Sequence, residues 1–167
     1  MSMPEETHLD PEQLGRDALD PDTYHLVVGP ALQVCAALAA KRGDPTLHAD
    51  MPAMLALVDL VTELGRHWAA DHHATDNDRL DQAAVAACVM VLREAGLEEA
   101  AIGQCLAALE AAYAQLAEHD VTEPAGPFIG TAWRALSVDD RDTAIEQLEQ
   151  AARRIVAAIE AWQNQVH

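Results

Sequence analysis

The chain of 167 residues carries eight histidines, and the densest group of metal-binding residue types is His67, His72 and His73 with Asp71, Asp76 and Asp78. Imidazole and carboxylate are the donors that hold zinc or iron. The spacing argues against a site on one helix. His67 and His72 differ by five positions, roughly 140° around a helix axis, whereas a shared metal takes residues three or four apart. His67 follows Asp59 and Glu63 at four-residue steps, which reads as an outward, solvated face. Interior Glu-x-x-His pairs of the di-iron type, C-x-x-C pairs and HExxH are absent from the sequence. No metal and no cofactor are therefore expected; a site joining His67, His72 and His73 to another helix is the one metal arrangement left open.

Nucleophilic chemistry fares no better. The only serines are Ser2, at the terminus, and Ser137, which reads as a helix cap. Lys41 is the only lysine and stands beside Arg42 at an expected helix C-terminus, where cations favour the dipole. No glycine-rich phosphate loop occurs. Cys35, Cys88 and Cys105 are odd in number and set among aliphatic residues, which suits reduced core thiols.

The elements that must position any site are helices. Half of the residues are hydrophobic, at 50%, but only 4% are aromatic, so the core is built from Ala, Leu, Val and Ile. Asp10-Pro11, Asp20-Pro21 and Asp44-Pro45 each set a capping Asp before a proline suited to a first helical turn. From about Pro21 to Arg42, Tyr24, Val27, Val28, Ala31, Val34, Cys35 and Leu38 form one stripe, Gly29-Pro30 should kink it, and Gly43 stops it. A second helix runs from after Asp50 to about His72, with Asp59, Glu63 and Arg66 opposite its apolar face. Leu80 to Ala95, apolar on more than one side and closed by Gly96, reads as the central helix. A fourth spans Leu97 to about His119. The last starts at Ser137 with Asp140 as a capping box, and carries Ile145, Leu148, Ala152, Ile155, Ile159, Trp162 and Val166 at heptad spacing. That seam either marks a core face or pairs with a second copy as a homodimer.

The expectation is an all-α fold: an antiparallel helical bundle of about five long helices plus a short N-terminal helix, as a single domain over 10–167 behind a flexible acidic N-terminus at 1–9. One connection is long, from Asp120 to about Thr131, with Pro124, Gly126, Pro127 and Gly130. The apolar residues Phe128 and Ile129 in it, with Trp133 just after, are the candidate partner-binding centre.

Charge decides among partners. Against 28 acids stand 10 bases, a net charge of −18, which repels nucleic acid and anionic lipid headgroups. The turn from Leu92 to Ile102 resembles a helix-turn-helix in outline, but Glu98 and Glu99 stand where a reading helix would meet phosphates. The longest apolar run, Ala83 to Leu92, is about half of what crosses a bilayer, and the acidic start Met1 to Glu6 lacks a secretory pattern. The reading is a cytoplasmic, non-enzymatic, acidic interaction module of adaptor, regulatory or toxin-neutralising type that binds a basic protein. The alternatives are a bundle holding a small apolar ligand or metal as sensor or carrier, lined by Trp68, Tyr113 or Trp133, and an enzyme using carboxylates and histidines such as Glu63, His67 or His119.

Overall fold

The computed structural model describes residues 21–44, 46–71, 88–89, 91–116 and 123–166. They form an all-α bundle, and no strand occurs among them. Helix α1 spans Pro21–Lys41, α2 Met51–Asp71, α3 Glu99–Leu116, α4 Gly126–Ser137 and α5 Arg141–Val166. Residues 91–94 are helical ahead of α3. Short 3-10 turns occupy Leu47–Ala49 and Glu123–Ala125. The expected N-terminal helix and the segment 1–9 lie outside the described residues, as do His72, His73, the break at Thr75 to Asp78, and His119.

Helix ends follow from local chemistry. Gly43, at φ +94°, and Gly96, at φ +85°, take the left-handed conformation that only glycine adopts without cost. Each closes a helix in the same way. Asp44 N–H donates to the Ala39 carbonyl and Gly43 N–H to Ala40, while Leu97 N–H donates to Leu92 and Gly96 N–H to Arg93. These are Schellman closures, which satisfy carbonyls left over at a helix end. The end of α4 repeats the pattern with an aspartate, Asp139, in the left-handed position at φ 60°. There Asp140 N–H donates to the Ala135 carbonyl at 2.8 Å and Asp139 N–H to Leu136 at 3.2 Å.

Asp140 then caps α5, its Oδ1 accepting from Thr143 N–H. This corrects the expected start at Ser137. Ser137 ends α4 instead, its hydroxyl donating back to the Trp133 carbonyl at 2.9 Å. The segment expected as a long loop is corrected as well. From Glu123 onward it is helical, because Pro127 sits in the first turn, where its missing N–H costs nothing. Ile129, Ala132, Trp133 and Leu136 then repeat at helical spacing and face the core. α1 continues as one helix across Pro30.

The core is organised around α2 and α5. α5 packs on α1, α2 and α4, and α2 also touches α3 and α4. Its heptad seam is filled by the chain's own helices: Leu148, Ala152, Ile155 and Ile159 are completely enclosed. α2 is enclosed on most sides, while most of the segment expected as the central helix, Leu80 to Ala95, lies outside the described residues. Ala53 to Leu57, Leu60, Val61 and Leu64 are buried, and so are Thr62 and, on what was expected to be the outer face, Asp59. Asp59, only 3% exposed, is thus an expectation overturned: packing by α3 covers it, and Tyr113 of α3 is its hydrogen-bond partner. Burial of a carboxylate needs such a partner.

Candidate functional site

The most built polar feature is the junction between α1 and α2. The Schellman turn at Gly43 reverses the chain, the 3-10 turn Leu47–Ala49 brings it back, and Asp50 begins α2. Asp50 is 3% exposed and fully engaged. Its Oδ1 accepts from Ala53 N–H at 3.2 Å, capping α2, and its Oδ2 accepts from Arg42 Nε at 2.6 Å. Arg42 Nη2 reaches on to Glu160 Oε2 of α5 at 3.0 Å. One guanidinium therefore ties the α1–α2 turn to α5, and its two carboxylate partners hold it firmly protonated, Glu160 contributing most. Beside it Lys41 Nζ meets Glu149 Oε1 at 3.0 Å, which keeps that carboxyl below its ordinary value.

On the other side of the turn lies a cavity of about 200 Å³. Met54, Leu92 and Leu109, at 2%, 1% and 5% exposure, form its floor. Met51, Gln104 and Ala108 stand at its exposed mouth, and His48 and Cys105 complete the wall. His48 Nδ1 is enclosed and finds no hydrogen-bond partner. Tyr113 and Trp133, expected to line any ligand cavity, are not in this wall; Trp68's side chain lies outside the described residues. Sequence reasoning passed over His48 and expected Cys105 to be a core thiol, whereas it is partly exposed. The signal was present only as a histidine between two helix-breaking aspartate signals, and nothing in spacing brings Cys105 to it.

The thiols divide into two kinds. Burial pushes Cys88 up to about 12, and Cys35 is raised as well, by burial first and then by Cys88 and Asp50. Both are inert at neutral pH, since the thiolate is the reactive form. Cys105 is partly exposed at the cavity.

The three residues expected as an apolar binding centre separate. Ile129, at 1% exposure, and Trp133, at 7%, lie in the core. Phe128 is half-buried, and the Arg154 guanidinium carbon stands over its ring, 4.5 Å from the ring centroid. His67 is half-buried on α2, close to Gly130 of α4, and Glu63 pairs with Arg66. Among the described residues no group of three or more His, Cys, Asp or Glu is arranged to hold a metal ion, and no helix is long and apolar enough to cross a membrane.

Every described cation has a partner within the chain. Lys41 and Arg153 meet Glu149, Arg42 meets Asp50 and Glu160, Arg66 meets Glu63, and Arg93 meets Glu99. Arg134 donates to Thr131 Oγ1, Arg141 to Gln33, and Arg154 covers Phe128. The surplus of exposed carboxylates meets exposed apolar surface at the α4–α5 corner, where Val138 is 75% exposed and Asp139, Asp140 and Asp142 flank it. Comparison with protein-family models, with curated proteins and with solved structures finds no match.

Proposed function

We propose that the chain is a cytoplasmic, non-enzymatic, acidic interaction module whose partner is a basic protein. The observation that carries this reading is the internal engagement of the cations: Lys41, Arg42, Arg66, Arg93 and Arg153 each meet a carboxylate of the chain, which leaves few described cations to offset the remaining carboxylates of a chain at −18. A negative field speeds the encounter with a basic surface and repels acidic ones. The α4–α5 corner, with Val138 amid aspartates, is the place where attraction and apolar contact coincide. Phe128, held at the surface of α4, adds a second contact, while Ile129 and Trp133 support that helix from beneath.

The test is the salt dependence of association with the companion protein that co-purifies with the full chain. Affinity falls by at least about tenfold from 0.1 M to 1 M salt, as the screening length shrinks from about 10 Å to about 3 Å. The double variant Val138→Lys with Asp142→Lys weakens association further, without changing the melting temperature. Association indifferent to salt and to the corner overturns the reading.

A further inference from the structure

We infer that the cavity between the Leu47–Ala49 turn, the start of α2 and α3 is a binding site for one cuprous ion, held by the Cys105 thiolate, His48 Nε2 and the thioethers of Met51 and Met54. The inference is independent of the partner reading and rests on the donor set, its placement and its charge.

Four of the eight described residues that line the cavity carry a soft donor: His48, Met51, Met54 and Cys105. The whole chain holds only five methionines and three cysteines, so soft donors are concentrated here. The fold explains how they meet. Met51 and Met54 stand one turn apart at the start of α2, where Met54 N–H donates to the Asp50 carbonyl at 2.9 Å, and residues three apart share a helix face. His48 precedes them by three further positions, in the 3-10 turn. From the other wall, α3 presents Cys105 on the face that also carries Ala108 and Leu109. Nδ1 of His48 is enclosed, so Nε2, across the ring, is the nitrogen offered to an ion. Met51 is 37% exposed and Cys105 partly exposed, whereas Met54 is 2% exposed, which gives an ion an entry side and an inner ligand.

The donors select the ion. Cu(I) takes thiolate and thioether sulfur, and copper takes imidazole nitrogen, whereas zinc sites are built from Cys, His and carboxylate without thioether. No described carboxylate lines the wall, which removes the oxygen donors that calcium, magnesium and manganese require. With two thioethers among the four donors, the set is not one of the His, Cys, Asp or Glu groupings that hold harder ions. Charge points the same way. Binding takes Cys105 as the thiolate and releases its proton to solvent. Cu(I) with one thiolate and neutral imidazole and thioether donors is then a neutral unit above the apolar floor of Leu92 and Leu109. A divalent ion would leave a net positive charge there, which is costly without a counter-charge. The net charge of −18 draws a cation to the mouth, and no described Lys or Arg lines the wall to repel it.

The experiment titrates the full-length protein, under exclusion of oxygen, with Cu(I) supplied as its bicinchoninate complex. It follows the loss of that complex's colour and the alkylation of Cys105 by N-ethylmaleimide, read by peptide mass. One equivalent of Cu(I) leaves the bicinchoninate, and Cys105 becomes protected at the same stoichiometry. Cys105→Ser loses the uptake, because Cys35 and Cys88 are buried and do not replace it. Met51→Leu with Met54→Leu keeps the side-chain volume and weakens uptake by at least the roughly tenfold that losing an outer-shell partner of a metal ligand costs. His48→Gln weakens it as well, and Zn(II) at the same concentration leaves Cys105 open to alkylation. Failure to withdraw Cu(I), or full uptake by Cys105→Ser, overturns the site. Uptake unchanged in the methionine double variant or in His48→Gln overturns the ligand set. Equal protection of Cys105 by Zn(II) overturns the cuprous assignment in favour of a thiolate–imidazole site for a divalent ion.

Discussion

Asp50 and Asp59 lie on or beside the same helix, and each is 3% exposed, yet the fold holds them by different means. Asp50 starts α2 with a guanidinium at 2.6 Å and a capped backbone N–H. Asp59, two and a half turns further on, meets the Tyr113 hydroxyl of α3. The first arrangement fixes the geometry of a turn and, through Glu160, its place against α5. The second joins α3 to the central helix. The contrast teaches that a carboxylate is tolerated in this aliphatic core wherever a neighbouring element brings a donor, and that the type of donor decides what its loss costs.

The largest effect is expected at Arg42. Arg42→Met leaves Asp50 buried without a counter-charge and lowers stability in urea unfolding by about 3 kcal/mol, the low end for breaking a buried pair, because the guanidinium is itself partly exposed. Adding Asp50→Asn to that variant recovers part of the loss. If the double variant is as unstable as the sum of the singles, the pair is not coupled and the contrast with Asp59 breaks down.

Tyr113→Phe is smaller, about 1–2 kcal/mol, the usual cost of removing one partner of a buried hydrogen bond. It also sharpens the comparison through pH. Burial, then the charge and hydrogen bond of Asp59, raise Tyr113 above its ordinary 10.0; burial raises Cys88 to about 12 from 9.0 and raises Cys35 too. A group whose folded pKa is raised contributes stability below its unfolded pKa, and that contribution is lost as pH rises toward the folded value. Stability should therefore hold up to pH 9.0 and then decline, first with the thiols and then with the phenol. Tyr113→Phe removes the part of the decline that starts near pH 10.0. An identical alkaline profile in the variant would detach Tyr113 from Asp59.

The helix spans, the core faces and the glycine stops were largely legible in the sequence, whereas the described caps were not: Ser137 ends a helix and Asp50, not Asp44, caps α2. Val27, Val28, Ala31, Val34, Cys35 and Leu38 share a buried face because apolar residues recur at helical spacing. Gly43 and Gly96 end helices because a left-handed residue is needed there. α4 was misread because Pro124, Gly126, Pro127 and Gly130 resemble loop punctuation, although proline in a first turn starts a helix as readily as it ends one. Asp59 was misread because periodicity ranks faces by polarity and is blind to a hydroxyl arriving from another helix. The cavity was illegible for the same reason: His48 and Cys105 are 57 positions apart in sequence and meet only through the packing of α3 beside α2.

The smallest effect is expected at the third Schellman turn. Asp139 holds a left-handed conformation, φ 60°, that glycine adopts freely, so Asp139→Gly should raise stability by about 0.5 kcal/mol or more. Gly43→Ala and Gly96→Ala should lower it by about 1 kcal/mol each. Thermal unfolding separates the signs, and a destabilised Asp139→Gly would mean that the side chain itself holds the corner.

The proposal that the outward negative field serves a basic partner is tested most directly by native mass spectrometry of the protein purified gently from its own cells. The account predicts the intact chain together with a basic protein in fixed stoichiometry, released when the sample is prepared at high salt. A chain without any companion, or with one whose retention ignores salt, would contradict it.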